Sequence, residues 1–168
     1  MYETTRLLFR KAEFPDWKPM YRNVWRHPES ARYMLWSVIT SEADAQERMQ
    51  KSIVYQFAHP AWLVIEKESG QAIGFAGLRE ENGICEDTGI CVGPAFTGKG
   101  YGQEILNELV RIAKENPDSR EFIVSCRSEN TASRNMILRC GFTFSNQELR
   151  EDPRDGTLYT LEFYKKSL

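Results

Sequence analysis

The sequence predicts an α+β domain of mixed α/β type, with a central, mostly antiparallel sheet of roughly six to seven strands and about four flanking helices. Short apolar or alternating segments bounded by Gly, Asn or Pro recur along the chain, as expected for strands, and segments with helical apolar spacing separate them. In chain order these segments read β-α-α-β-β-β-α-β-α-β-β. The strand-helix-strand unit in this order implies one parallel strand pair.

Length and charge limit the classes of function. The chain has 168 residues, enough for one sizeable core and short for a second, so residues 1–168 are expected to form a single domain. Lys and Arg number 22 against 24 Asp and Glu, which gives a net charge of −2. Because no strong positive field results, neither a nucleic acid nor a membrane surface is expected as a partner.

The amino terminus and the cysteines bear on location and metal binding. Met1 to Arg6 carries an acid and no long apolar run, unlike a signal peptide, so a cytoplasmic location is expected. The four cysteines form no C-x-x-C pair, and His27 and His59 are the only imidazoles. We therefore expect buried free thiols and no metal site.

The first part of the chain predicts one strand and two helices. Thr4 to Arg10 alternates between apolar and polar side chains, typical of an edge or near-edge strand. Asp16 is expected to cap a helix in which Trp17 to Trp25 shows apolar residues at helical spacing. Ser30 to Trp36 is interpreted as a short helix or a loop.

The second predicted helix begins at a capping box formed by Ser41 and Asp44. Its apolar face consists of Ala45, Met49, Ile53 and Phe57. Four aromatic residues in this part of the chain have two explanations, core packing or a wall that lines a substrate; they are Trp17, Trp25, Trp36 and Tyr55.

An antiparallel meander of three strands follows. It comprises Ala61 to Lys67, Gln71 to Glu80 and Ile84 to Val92, joined by Ser-Gly and Asn-Gly turns. The next helix runs from Glu104 to Asn116, where Pro117 ends it. Its apolar stripe consists of Ile105, Leu109, Ile112 and Ala113.

The last part of the chain predicts a strand, a helix and a hairpin. Glu121 to Cys126 is the strand that completes the parallel crossover. A helix extends from Asn130 to Cys140, where Gly141 suits its end. The hairpin pairs Phe142 to Leu149 with Leu158 to Lys165.

A glycine loop lies between the strand that ends at Val92 and the following helix. Gly98, Gly100 and Gly102 permit positive φ angles and let a ligand approach the main chain closely. The free N–H groups of the loop and of the helix start would converge on one anion, and Lys99 adds a mobile charge. A phosphate or a pyrophosphate is the ligand that this arrangement predicts.

The spacing of the glycines and of the residues beside them distinguishes between several explanations of this loop. A dinucleotide-binding fingerprint needs a third glycine where Gln103 lies. A P-loop fits from Gly93 to Lys99 but needs a Ser or Thr hydroxyl where Gly100 lies. A tight turn without any ligand is a further explanation.

Two segments carry a resemblance to a known family. Thr97 to Gly102 resembles the pyrophosphate loop Q/R-x-x-G-x-G/A of the GCN5-related N-acetyltransferases (GNAT), with Thr97 departing from the pattern. Asn130 to Phe142 resembles the second GNAT signature, in which an Asn and a Ser precede Gly-Phe. Thr5 to Arg10 is similar to the T-x-R-L-x-L-R opening of the RimJ/RimL-like subgroup.

This resemblance implies an acetyl-CoA-dependent N-acetyltransferase in which the predicted fourth and fifth strands splay apart to admit the cofactor. The acceptor would be a primary amine, either a protein N-terminal α-amine or a small-molecule amine, and a homodimer is left open. The implied cofactor-binding residues are Ile90, Cys91, Val92, Gly98, Lys99, Gly100, Tyr101, Gly102, Gln103, Asn130, Ser133 and Asn135.

Direct attack in a ternary complex requires a neutral amine, a stabilised oxyanion and a proton for the leaving thiolate. Glu86 and Asp87 are the carboxylates nearest the expected thioester, and strand alternation lets only one of them face it. Asp87 is preferred as the base, because it aligns with an acid that is often seen in the resembling subgroup. Ile137 occupies the position of the family's tyrosine acid, so Ser133, a water or another side chain would protonate the thiolate.

Two other functions and one other mechanism are weighed against this hypothesis. Thr97 and Ile137 motivate a non-catalytic acyl-CoA-binding protein, and the imperfect P-loop motivates a degenerate nucleotide binder. A covalent route through Cys126 or Cys140 is disfavoured, because no His is placed by the sequence to activate either thiol.

Overall fold

The structure, a computed structural model that describes residues 1–168, contains eight strands and five helices. The strands are β1 (Tyr2–Glu3), β2 (Leu7–Arg10), β3 (Ala61–Glu66), β4 (Ala72–Glu81), β5 (Ile84–Val92), β6 (Glu121–Arg127), β7 (Thr143–Glu151) and β8 (Leu158–Ser167). The helices are α1 (Trp17–Met20), α2 (Pro28–Ala31), α3 (Glu42–Ala58), α4 (Tyr101–Ala113) and α5 (Thr131–Arg139).

All eight strands belong to one sheet with the order β1-β2-β3-β4-β5-β6-β8-β7. The predicted meander is confirmed, since β3, β4 and β5 pair antiparallel. The predicted crossover is also confirmed, because β5 and β6 are the parallel pair and α4 connects them. The terminal hairpin forms as expected, but β8 lies between β6 and β7 and leaves β7 exposed at the edge.

The number of strands is higher than predicted because of the amino terminus. Instead of one strand from Thr4 to Arg10, the strand β2 is confined to Leu7–Arg10, and Tyr2–Glu3 folds back to pair with it. Leu7 and Phe9 point into the core as their alternation predicted, with both side chains fully buried. A two-residue strand carries too little periodicity to be recognised in a sequence.

Two apolar clusters cover the two faces of the sheet. The predicted stripe of α4 lies entirely in the larger cluster, together with Ile137 of α5, Phe122 of β6 and Tyr164 of β8. The smaller cluster packs α1 and α3 against β3 and β5, and it includes Met20, Trp25, Met49 and Cys91. Because α4 and α3 lie on opposite faces, the central strands are covered on both sides.

One prediction on the early helices is wrong. Asp16 does not cap α1: its carboxylate accepts both a hydrogen bond from the Glu13 N–H at 2.8 Å and a bidentate pair of bonds from Arg10 at 2.7 Å. It thus closes a preceding 3-10 turn. The predicted helix from Trp17 to Trp25 is confirmed, and α1 continues as a π-helical segment over Tyr21–Trp25. The short helix or loop predicted over Ser30 to Trp36 corresponds to the short helix α2, which begins earlier at Pro28, and to the turns that follow it.

Phe57 is the other error, because it is 93% exposed rather than buried. Gln56 takes the inward position at the end of α3, where its side-chain oxygen accepts a hydrogen bond from the Ala12 N–H at 2.7 Å. An otherwise unpaired buried N–H outweighs the apolar pattern over the last turn of this helix.

No helix in the structure combines the length and the apolar character that crossing a membrane requires.

Truncation of two apolar side chains on α3 tests this assignment. Met49 is fully buried, so Met49→Ala is expected to lower the free energy of unfolding by about 2–5 kcal/mol through the cavity that it leaves. Phe57→Ala is expected to change it by less than about 0.5 kcal/mol. Urea denaturation of both variants measures the difference, and comparable losses would show that Phe57 is buried after all.

Candidate functional site

The parallel strands β5 and β6 separate soon after they meet. Residues Ile84–Glu86 pair with Glu121–Ile123, and no pairing between the two strands continues beyond them. A β-bulge at Thr88 shifts the register of β5 against β4 at this point, and the neighbouring Gly89 has a φ of +128°. The edge of β5 from Asp87 to Val92 that faces β6 therefore has main-chain groups without a strand partner.

Asp87 lies where the two strands part. Its carboxylate accepts a hydrogen bond from the Ser125 N–H of β6 at 3.2 Å, and the Gly89 N–H also favours its charged form. Burial raises the pKa of Asp87 from 3.8 to about 6, although these two N–H donors act in the opposite direction. A carboxylate has about four acceptor positions, so others remain for further donors.

Glu86, the other predicted carboxylate, points to the opposite side of the strand. It forms an ion pair with Arg79, whose Nε lies 2.9 Å from the Glu86 carboxylate. The alternation of the strand thus separates the two acids as expected, and only Asp87 reaches the space between β5 and β6.

This space, here called the cleft, has a volume of about 600 Å³. It runs between the parted strands and is bounded by the segment before α3, by the start of α5 and by the terminal hairpin. Its polar or aromatic lining includes Tyr33, Trp36, Asp87, Ser125, Asn130, Ser133 and Tyr159.

The predicted residues at the start of α5 divide into two groups. Asn130 and Ser133 line the cleft, and the Asn130 side chain also caps the helix by accepting the Ser133 N–H at 3.1 Å. Asn135 is exposed and does not reach the cleft. Ile137, at the position of the expected tyrosine, is fully buried in the core, so it leaves the cleft without a phenol at this point.

The glycine loop has the geometry of an anion cradle. Gly98 and Gly100 have φ angles of +74° and +82°, and α4 begins directly after them at Tyr101, earlier than predicted. The six consecutive N–H groups of residues 98–103 have no backbone acceptor. Because they include the first turn of α4, the positive end of the helix dipole adds to their attraction for an anion.

Packing ties this loop to both the cleft and the sheet. The Cα of Gly102 faces Met136 of α5, which also lines the cleft, so loop and cleft adjoin. Tyr101 is buried, and its hydroxyl donates to the Glu66 carboxylate on β3 at 2.7 Å. The side chain of Tyr101 therefore anchors the loop, while its N–H belongs to the cradle. Lys99 stays exposed at the edge of the loop.

The sequence did not predict that Arg6 of the amino-terminal motif contacts the glycine loop. The Arg6 guanidinium donates to the Lys99 carbonyl at 2.9 Å and to the Glu104 carboxylate at 2.8 Å, and it stacks on the Tyr101 ring. The Glu104 carboxylate also accepts the Arg6 N–H at 3.0 Å. Only the motif around Arg6 signalled its importance, and nothing in the sequence pointed to Lys99 or Glu104 as its partners.

The environment of the thiols makes them poor nucleophiles, although Cys126 lines the cleft, because burial raises the pKa of Cys126 and of Cys140. All four cysteines are free and buried. Burial raises the pKa of Cys91 to about 12 and that of Cys126 to about 11, so both thiols are protonated at neutral pH. Cys91 also packs on the α3 side of the sheet, whereas Ile90 and Val92 pack against the larger cluster on the other face.

A second cavity, here called the side pocket, opens between α3 and the sheet and has a volume of about 320 Å³. It shares Tyr55, Phe75, Thr88 and Gly89 with the cleft. Of the aromatic residues with two explanations, Trp25 and Tyr55 line the side pocket, Trp36 and Tyr55 line the cleft, and Trp17 packs against the smaller cluster. Sequence reasoning missed Arg48 in this pocket.

Comparison with known proteins adds a family match. The acetyltransferase (GNAT) domain family matches residues 6–143. Similar solved structures include a GNAT-family acetyltransferase from Bacillus anthracis, with 20% identity over 98% of this chain and 96% of that chain and a TM-score of 0.83.

Two further solved structures differ in the acceptor that their descriptions name. One is spermidine N-acetyltransferase from Vibrio cholerae in complex with CoA and spermine, with 17% identity over 98% of this chain and 96% of that one and a TM-score of 0.76. The other is a putative ribosomal-protein-serine acetyltransferase from Vibrio cholerae, with 19% identity over 99% of this chain and 96% of that one and a TM-score of 0.79.

Replacement of Asp87 tests the environment of its carboxyl group. Because its folded pKa is raised, the protonated form contributes stability below pH 4, and this contribution is lost as the pH rises through about 6. Asp87→Asn keeps an acceptor without the charge, so it is expected to be more stable than the unmodified chain by about 1–3 kcal/mol at pH 8. This advantage is expected to disappear near pH 4.

Urea denaturation at several pH values measures this difference. Glu86→Gln is the matched control, because it removes an exposed ion pair worth less than about 1 kcal/mol. A stability difference between Asp87→Asn and the unmodified chain that stays constant from pH 4 to pH 8 would contradict the assigned environment.

Proposed function

Because the chain belongs to the GNAT acetyltransferase family, whose domain matches residues 6–143, we propose that it transfers the acetyl group of acetyl-CoA to a primary amine. The observation that carries this proposal is the row of acceptor-free N–H groups at residues 98–103, which adjoins a strand edge that is also free. A diphosphate fits the first and an extended amide-bearing chain fits the second.

The cofactor would follow the surface from the loop to the parted strands. The N–H groups from Gly98 to Gln103 would hold the diphosphate, and Lys99 would add its charge at the rim. The pantetheine arm would run past Asn130 and Ser133 and would pair with the main chain of Ile90 to Val92, as a strand would. The thioester would then reach the end of the cleft at Asp87.

The reaction follows from this placement. One proton leaves the ammonium form of the acceptor and passes to Asp87, either directly or through a water. The neutral amine nitrogen attacks the thioester carbon, and a main-chain N–H of β5 near Cys91 or Val92 would stabilise the oxyanion. The C–S bond then breaks, and the second proton of the nitrogen ends on the CoA thiolate.

Asp87 suits the role of base, because a carboxyl pKa of about 6 leaves it ionised at neutral pH yet more basic than an ordinary aspartate. Ser133 lies in the same cleft and is proposed to pass a proton to the thiolate, either directly or through a water. Asn135 is exposed, so we assign it no direct contact with the reacting groups.

Two kinds of acceptor are considered, a polyamine and a protein α-amine, since similar structures are named for spermidine and for a ribosomal protein. The Thr5 to Arg10 motif favours the RimJ/RimL-like subgroup and therefore an α-amine. An α-amine has a pKa of about 8, against about 10.4 for a lysine side chain, so a base as weak as Asp87 can deprotonate it more readily.

The alternatives predict different behaviour. A non-catalytic acyl-CoA binder would keep the loop but would release no thiol in the presence of any amine. A P-loop nucleotide binder would need a hydroxyl after Lys99 to hold magnesium, and Gly100 supplies none.

Replacement of one glycine tests the cradle. Gly100→Ala forces a side chain into the left-handed region at a cost of about 1–2 kcal/mol, and it is expected to weaken acetyl-CoA binding at least tenfold because the N–H groups lose their alignment. Gly70 has a similar φ of +68° and open space around it, so Gly70→Ala is the control with equal strain and unchanged affinity. Calorimetric titration with acetyl-CoA decides, and equal affinities in the two variants would remove the cradle from the proposal.

Replacement of the base tests the chemistry. Asp87→Asn is expected to lower kcat/KM for the amine by about two orders of magnitude, while acetyl-CoA affinity stays the same. In the unmodified chain, kcat/KM is expected to rise with pH through about 6, as the carboxyl group loses its proton. Thiol release measures both effects, and turnover by Asp87→Asn equal to that of Glu86→Gln would exclude Asp87 as the base.

A further inference from the structure

Arg48 of α3 is a cation without a partner. No ion pair involves its guanidinium and no hydrogen bond leaves it, although the other arginines that line the two cavities pair with carboxylates: Arg79 with Glu86, Arg127 with Asp152 and Arg150 with Glu148. Burial lowers the pKa of Arg48 to about 10, so it stays charged at neutral pH. A partly desolvated cation without an anion lowers the stability of the protein, unless a bound ligand supplies the missing negative charge.

Two indole rings hold this guanidinium in place. The Arg48 Cζ lies 5.0 Å from the ring centroid of Trp25 and 4.5 Å from that of Trp36. Both indole Nε1 atoms are buried and have no hydrogen-bond acceptor. Three side chains that can only donate hydrogen bonds therefore meet without any acceptor among them.

The side pocket offers Arg48 no anionic partner. None of the side chains that line the side pocket is an Asp or a Glu. The second cation of the pocket, Lys51, is already paired with Glu47 at 2.6 Å. Arg48 is therefore the unneutralised charge of the side pocket.

The cluster is also firmly positioned. The Arg154 guanidinium of the terminal hairpin donates to the carbonyl oxygens of Ala31 and Trp36, each at 3.1 Å. Arg154 is itself paired with Asp152 at 2.6 Å. The segment that carries Trp36 is thus fixed from the opposite side of the cleft.

We propose that Arg48, Trp25 and Trp36 form a subsite for an anionic group, a carboxylate or a phosphate, on the amine acceptor. The side pocket meets the cleft at Thr88 and Gly89, directly beside Asp87. An acceptor whose amine reaches Asp87 therefore extends its other end toward Arg48, whose planar fork matches a carboxylate or phosphate. This inference rests on the proposed acetyl transfer and adds the acceptor class: acidic amines are preferred over polyamines.

Matched acceptors test the preference. The panel contains dipeptide amides with Asp or Glu in the first or second position, their Asn and Gln counterparts, phosphoserine with serine, and spermidine. The kcat/KM from thiol release is expected to be at least tenfold higher for an acidic member than for its neutral counterpart, with the phosphoserine pair separating phosphate from carboxylate. Equal rates within every pair, or a preference for spermidine, would overturn the subsite.

Variants assign the preference to Arg48. Arg48→Met is expected to reduce the acid-to-amide ratio to less than threefold, and Arg48→Lys, which keeps the charge without the fork, to retain part of it. Lys18→Met removes an exposed cation of α1 that lines neither cavity, so the ratio is expected to stay unchanged. A preserved ratio in Arg48→Met, or in Arg48→Lys should the methionine variant not fold, would contradict the assignment.

A binding measurement separates this inference from the proposed reaction. Glutarate and inorganic phosphate carry no amine, and at least one of them is expected to change the tryptophan fluorescence of the unmodified chain but not of Arg48→Met. If this change occurs and no amine is acetylated, the proposed reaction fails and the subsite stands. If amines are acetylated without any acidic preference, the subsite fails and the reaction stands. If neither the fluorescence change nor any acetylation of amines occurs, both the subsite and the proposed reaction are contradicted.

Discussion

The brevity of the ladder between β5 and β6 is the constraint on which the site depends. Main-chain N–H and C=O groups are normally paired when they leave water, so a strand edge opened inside a sheet needs another partner. Here the Asp87 carboxylate takes the Ser125 N–H at the point of separation, and the bulge at Thr88 turns β5 away from β6. The remaining edge has no strand partner, and the same strand leads into the glycine loop.

Contacts from distant parts of the chain keep this opening in shape. Arg6 and Glu104 join the amino terminus to the first turn of α4, and Tyr101 joins the same turn to Glu66 on β3. On the other side, Asp152 pairs with both Arg127 of β6 and Arg154 of the hairpin, and these hydrogen bonds hold the pKa of Asp152 well below its usual range. Each end of the cleft is therefore fixed by a charged network that several elements share.

Each cavity contains one ionisable group without an ion-pair partner, and the charges of these two groups have opposite signs. A carboxyl group with a raised pKa lies in the cleft, and an unpaired guanidinium lies in the adjoining side pocket. Each is partly desolvated, which costs stability in the absence of a ligand but makes the group respond strongly to a substrate of complementary charge. An acceptor with an amine at one end and an anion at the other would satisfy both groups in one orientation.

The sequence alone determined the order of the elements, the parallel crossover and the glycine loop, because apolar periodicity and turn residues are local properties. Strand alternation predicted that only one of Glu86 and Asp87 faces the cleft, and the preference for Asp87 came from the family resemblance. The sequence could not determine that Phe57 is exposed, that Asp16 pairs with Arg10 instead of capping a helix, or that the amino terminus adds an eighth strand. The tertiary structure alone decided these points and brought Arg6 to Lys99 and Arg48 between Trp25 and Trp36. Such contacts join residues far apart along the chain, and they depend on how the elements pack, which no local sequence pattern records.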